Sequence, residues 1–186
     1  MRPSGKTALL FLLPGCLLLA SCSIFPTPEV TVSNYYDLSI PEKISTPGKS
    51  VIVTPFASNS GERYKMALRV GNSIRSTESC KWIMPPGSLM TKYLRLAFRS
   101  APGAPQGKKV VTLSGSISAF ESNKGKAVLG VTYKLRTGDG KKEKEFSRTI
   151  LIREKFEKAS SEDFAAGMSR AAGKVAQSIA ADLKKL

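Results

Sequence analysis

The chain has 186 residues, 41% hydrophobic and 23% charged, with a formal net charge of +15 and no histidine. That balance lies in the range of folded proteins and outside that of disordered ones, and the length suits one domain with a sizeable core. Without histidine, Ser-His-Asp and Cys-His catalysis and imidazole zinc ligation are excluded, while the positive charge favours anionic partners.

Arg2 and Lys6 precede an apolar run, Ala8 to Ala20, interrupted by Pro14 and Gly15. As a helix this run would reach only about 20 Å, short of the roughly 30 Å hydrocarbon core, so it reads as a secretory signal peptide and not as a membrane span. It closes on Leu19-Ala20-Ser21-Cys22. That ending fits the bacterial lipobox, in which the cysteine thiol takes a diacylglyceryl group before cleavage on its amino side. An ordinary signal peptide with a chance cysteine is the alternative, since Cys16 shows that the run tolerates one. The expected division is a signal peptide over 1–21, a lipidated Cys22 with a flexible tether over 22–34, and a folded domain over 35–186. Cleavage leaves 165 residues and lowers the charge to +13 by removing Arg2 and Lys6. Cys80 is then the sole unmodified cysteine, expected as a buried small hydrophobe, with an intermolecular bridge as the alternative.

Residues 23–34 contain Pro26 and Pro28 and read as an extended tether of about 40 Å at most. Ser50–Phe56, "SVIVTPF", predicts a short buried strand, and Met66, Leu68 and Val70 alternate as a second strand with one buried face. Thr77–Trp82 predicts a third. Pro85-Pro86 then opens a helix with Leu89, Met90, Tyr93, Leu94, Ala97 and Phe98 on its apolar face, ending before the breaker loop "APGAPQG". A three-strand meander is expected next. Val111, Leu113, Ile117 and Ala119 share a face of Val110–Phe120, and Ala127, Leu129, Val131, Tyr133 and Leu135 share a face of Lys126–Arg136. "TGDG", Thr137–Gly140, predicts a tight turn into Lys142–Ile152, which carries Phe146, Ile150 and Ile152. A last helix is expected over Ser161–Lys185, capped by "SSED", with Phe164, Met168, Ala171, Val175, Ile179 and Leu183 as a core-facing stripe. The fold class expected is α+β: a single domain with a mixed, largely antiparallel sheet and two main helices packed on it.

No motif for chemistry emerges. Glu143, Glu145, Glu162 and Asp163 sit in lysine-rich or helix-capping settings, and the glycine-containing pieces "SGSIS" and "GKAVLG" lack phosphate-loop spacing. No catalytic residue, metal, cofactor or enzyme activity is expected. The basic residues are scattered, with Lys108-Lys109 and Lys141-Lys142-Glu143-Lys144 the densest groups. They read as a solvated surface, with a membrane-facing patch as the alternative.

Taken in order, the lipobox, "YYDL", "VIVTPF", "KWIMPPGSLMTKYLRLAF" and "FAAGMSRAAGKVAQSIAADL" resemble the ABC-type transport auxiliary lipoproteins, the PqiC-like family linked to MCE-domain lipid transport. The family's marks fall here on Tyr35 and Tyr36, on Trp82, Pro85 and Pro86, and on Met168, Ser169 and Arg170. One departure is Ile83-Met84, where many members carry an acidic residue. The resemblance implies a non-catalytic lipoprotein on the periplasmic face of the outer membrane, held by the acyl chains (palmitate among them) on Cys22. It implies partnership with an MCE-domain protein and an ABC permease and ATPase, moving lipids between the inner and outer membranes. Ser23, in place of the aspartate that retains lipoproteins in the inner membrane, favours outer-membrane sorting. Trp82, Ile83, Pro85 and Pro86 are the candidate partner contact, with Trp82 read first as a core or helix-docking aromatic and second as a partner anchor. Nucleic acid is not an expected partner, and a homo-oligomer is left open. Two other readings share the anchor: a secretion or outer-membrane assembly accessory, and a peptidoglycan- or polyanion-binding protein.

Overall fold

The computed structural model describes residues 32–59, 64–100, 109–138 and 144–186. The signal peptide, Cys22, most of the tether, the "APGAPQG" loop and the turn at 139–143 lie outside the described residues. Ser33–Leu186 form the compact unit considered below. In chain order its elements are β1 (Asn34–Tyr36), β2 (Lys49–Val53), β3 (Ala57–Ser58), β4 (Lys65–Val70), β5 (Ser73–Trp82), α1 (Pro86–Phe98), β6 (Lys109–Asn123), β7 (Lys126–Thr137), β8 (Lys144–Lys155) and α2 (Ser161–Leu183). The result is the expected α+β class: among the described residues, two helices on one mixed eight-stranded sheet.

β6 organises the sheet. Along one edge it pairs with β7 from Val111 to Asn123, antiparallel. Its other edge is shared by three short parallel strands in succession: β2 against Lys109–Leu113, β3 against Ser116–Ile117 and β4 against Glu121–Asn123. β5 and β1 extend the sheet beyond β4, and β8 closes the far side on β7. The β6–β7 turn places Lys124 at φ 47° and Gly125 at φ 70°, the double positive φ of a type I′ hairpin, whose twist matches the strands it joins.

The meander faces follow the expected alternation with one correction. A bulge at Ser118 shifts the register between Ile117 and Ala119, so Phe120 joins Ile117 on the buried face and Ala119 is only partly covered. A second correction concerns β4. Met66 is buried, whereas Leu68 and Val70 are 40% and 47% exposed. They line an open cavity in front of the first turn of α2, where the strand outruns the helix that would cover it.

Both helices pack on one face of the sheet, α2 over β7 and β8 and α1 over β2, β3 and β6, enclosing one hydrophobic core. The α2 stripe is buried along its length, with Met168, Ala171, Val175 and Ile179 fully so. Ser160 caps α2 by accepting the Asp163 N–H at 3.0 Å. At the other end lysines from the sheet hold the last helical carbonyl and the residues just beyond it. Lys49 Nζ donates to Leu183 O at 2.5 Å and Lys109 Nζ to Leu186 O at 2.9 Å.

One polar cluster sits inside this packing. Asp182 is fully buried and accepts from the Tyr133 hydroxyl, from Arg148 Nη1 at 3.0 Å and from Lys185 Nζ at 2.6 Å. Burial alone would push its carboxyl up. Hydrogen bonds from Lys185, Tyr133 and Arg148 outweigh that and hold it down at about 2. The Tyr133 phenol is pushed far up, by burial and then by the carboxylate.

Truncating Met168 or Ile179 to alanine should therefore cost about 2–5 kcal/mol each, measured by urea unfolding. Because the Asp182 carboxyl lies below its unfolded value, the stability it contributes is complete above about pH 4 and is lost as pH falls towards 2. Asp182→Asn should cost about 1–3 kcal/mol at pH 7 and remove that share of the acid sensitivity, measured by unfolding across a pH series.

Candidate partner-contact surface

The stretch Trp82–Ser88 joins β5 to α1, and the strand's alternation splits its residues between core and solvent. Trp82 is 1% exposed. Its ring meets Phe120 and Phe164 edge-on, at centroid distances of 5.0 and 5.6 Å, pinning the end of β5 to both β6 and α2. Its indole N–H finds no acceptor among the described residues. Ile83, one residue on, points outward and is 52% exposed. Pro85 is half-buried, Pro86 is buried and Ser88 is exposed. Of the four candidate residues, Ile83 and Pro85 thus present surface, while Trp82 and Pro86 position them.

The joint is held rigidly. The Trp82 N–H donates to Tyr64 O at 2.6 Å and the Ile83 N–H to Tyr36 O at 2.8 Å. Pro85 precedes the helix with φ −55° and ψ 148°, and Pro86 occupies its first turn, where no N–H is needed. Thr91 fastens that turn to the β2–β3 connection: its hydroxyl accepts the Phe56 N–H at 2.9 Å and donates to Gly87 O at 2.7 Å. Gly87 lies so close to Phe56 O that a β-carbon would overlap it. Beside this joint Tyr64, Phe56, Pro85 and Pro86 line a notch of about 260 Å³. Tyr64 and Tyr35 are both substantially exposed. Tyr64 was not legible as part of the surface, because it follows the polar stretch "SNSGER" and touches the proline joint only through the fold.

The remaining candidate groups have structural partners. Glu145 pairs with Lys134 at 2.8 Å and Arg136 at 3.1 Å, and Glu162 and Asp163 stand in the first turn of α2. Glu143 and Cys22 lie outside the described residues. Cys80 is half-buried and packs against the hydrophobic core, with hydroxyls beside its thiol. The Ser161 hydroxyl is the main influence lowering its thiol, against burial, which raises it. Among the described residues no group of acidic or sulfur side chains could hold a metal ion, and no helix is long and apolar enough to cross a membrane.

Alanine normally strengthens a helix relative to glycine. Gly87→Ala should nevertheless destabilise the domain by about 1–3 kcal/mol, because the new methyl meets backbone that cannot yield. Chemical denaturation checks this, with Gly125→Ala as a contrasting site where the space is open but φ is positive.

The model of one protein family, described as the ABC-type transport auxiliary lipoprotein component, matches residues 62–180. Two solved structures are similar in fold. A crystal structure described as that of an uncharacterized protein has a TM-score of 0.68 at 14% identity, over 82% of this chain and 99% of that one. The crystal structure of protein XCC0632 from Xanthomonas campestris, of family DUF330, has a TM-score of 0.61 at 12% identity, over 82% of this chain and 95% of that one. No curated protein matches the sequence.

Proposed function

Because the chain belongs to the ABC-type transport auxiliary lipoprotein family, we propose that it is the outer-membrane dock of an MCE-type lipid transport system. In this reading residues 1–21 are removed and Cys22 carries acyl chains that hold the protein on the periplasmic face of the outer membrane. Residues to about 34 then act as a tether for the domain over 35–186. One acyl chain gives only marginal membrane binding, whereas the several carried by a mature lipoprotein anchor durably. The role is auxiliary and non-catalytic: the domain engages an MCE-domain protein that bridges to an inner-membrane permease and ATPase, along a path that moves lipids between the membranes.

The observation that carries the docking site is the exposed Ile83 on a joint that cannot give way. An apolar side chain beside Pro85 and the Tyr64 notch, on backbone fixed from three sides, offers a contact at little cost in ordering. Photocrosslinkers at Ile83 and Ser88 in native envelopes should trap an MCE-domain protein, and the trapping should survive moderate salt. Ile83→Glu should abolish it while leaving the fold intact by circular dichroism. Contacts held by exposed charge would instead weaken as salt rises, since screening acts over about 8 Å at physiological ionic strength. Crosslinks to lipid or peptidoglycan alone would move the reading to a polyanion binder. Cys22→Ser should leave an uncleaved or unanchored precursor, and mass spectrometry of an unmodified mature Cys22 would refute the anchor.

A further inference from the structure

Where β2 and β6 begin, a cavity of about 380 Å³ opens between the turn before β2 and the last turn of α1. Its floor includes Val51 and Phe98, and its rim carries Lys43, Lys49 and Arg99 with the hydroxyl of Ser45. No carboxylate side chain lines it among the described residues. Three cations around one hollow repel one another, and an anion placed between them relieves that repulsion.

Both walls are preformed. The Lys49 N–H donates to Thr46 O at 3.1 Å, closing the turn, and the Ile44 N–H donates to Ala97 O at 2.8 Å, fastening the turn's approach to α1. α1 itself ends in a Schellman motif, with the Ser100 N–H donating to Arg95 O at 2.9 Å. That motif puts Arg99 at φ 50° and ψ 41°, in the left-handed region. Glycine is the usual residue there, and a β-carbon costs energy that the cap does not require. The unfavourable residue lines the same hollow as the two lysines, so the side chain has a use that the backbone does not. Lys49 is steadied by Leu183 O at 2.5 Å, while the Lys43 and Arg99 residues are exposed and their side chains have no hydrogen-bond or ion-pair partner among the described residues.

We propose that Lys43, Lys49 and Arg99 form a binding site for a phosphate ester, with the guanidinium fork on two phosphate oxygens and the lysines as flanking charges. The apolar floor takes the carbon atoms next to the phosphate. The phosphate is either that of a free ester or that of an anionic lipid headgroup.

The test uses the full-length protein in nonionic detergent, with thermal unfolding followed in glycerol 3-phosphate and in sodium chloride of equal ionic strength. A second arm compares nanodiscs of phosphatidylglycerol with nanodiscs of phosphatidylcholine. A Tm rise of about 3–5 °C is expected at roughly ten times the dissociation constant, beyond any effect of chloride. A rise with glycerol 3-phosphate identifies a free ester as sufficient, and a rise in phosphatidylglycerol alone identifies the headgroup. Arg99→Gly should raise the Tm without phosphate yet abolish the phosphate-dependent rise, and Lys43→Gln should reduce that rise. Lys124→Gln, at the far end of β6, should leave it unchanged. No rise in either arm, a rise matched by chloride, or one that survives both Arg99→Gly and Lys43→Gln would overturn the site.

Discussion

The far edge of β6 is the constraint on which the rest of this structure depends. One long strand offers a row of backbone groups, and three short strands divide it among themselves. β2 and β3 are short and owe their places to β6 alone, whereas β4 is held by β6 on one edge and β5 on the other. The connections between them decide what reaches the helix face. The β2–β3 link delivers Phe56 over the sheet and against Gly87, which brings the first turn of α1 down onto the backbone. The β4–β5 hairpin ends on Trp82, which locks between β6 and α2 and turns Ile83 outward. The proposed contact is thus a by-product of how β6 is shared.

α2 supplies the second constraint. Its apolar stripe covers the meander, while Asp182 is held beneath it by groups from β7 and β8. A buried carboxylate is costly unless its hydrogen bonds are complete, and here three donors converge on it. Hydrophobic burial leaves a helix free to slide by small amounts. A directional cluster at one end fixes its register.

Much of this was legible in residue patterns. The alternation in Ala127–Leu135 and the 3.6-residue recurrence from Phe164 to Leu183 identify the two largest faces of the core, and prolines mark where α1 starts. The Ser118 bulge was not legible, because it is set by pairing with β7 and shifts the face of every later residue in β6. Nor was the exposure of Leu68 and Val70, since alternation reports a face and not whether a helix extends far enough to cover it. The contact surface divided in the same way. Ile83 and Pro85 lie in a conspicuous proline stretch, whereas Tyr64 joins them only through the hydrogen bond from the Trp82 N–H to its carbonyl. Burial of Trp82 follows from one fact of strand geometry, that neighbours point to opposite faces.

The shared edge also has a consequence in time. β2, β3 and β4 all leave the ribosome before β6, and the partner they share is separated from them by the whole of β5 and α1, although β4 can first pair with β5. Until residues 109–123 are made, β2 and β3, with apolar side chains such as Val51 and Val53, have no sheet to join, and the β1–β5–β4 ribbon has an unpaired edge. Non-local pairings of this kind are formed late and slowly, because loop closure must precede the contacts that reward it. The nascent chain therefore spends much of its synthesis with unsatisfied strand edges, the condition under which chains aggregate or require a chaperone to hold them.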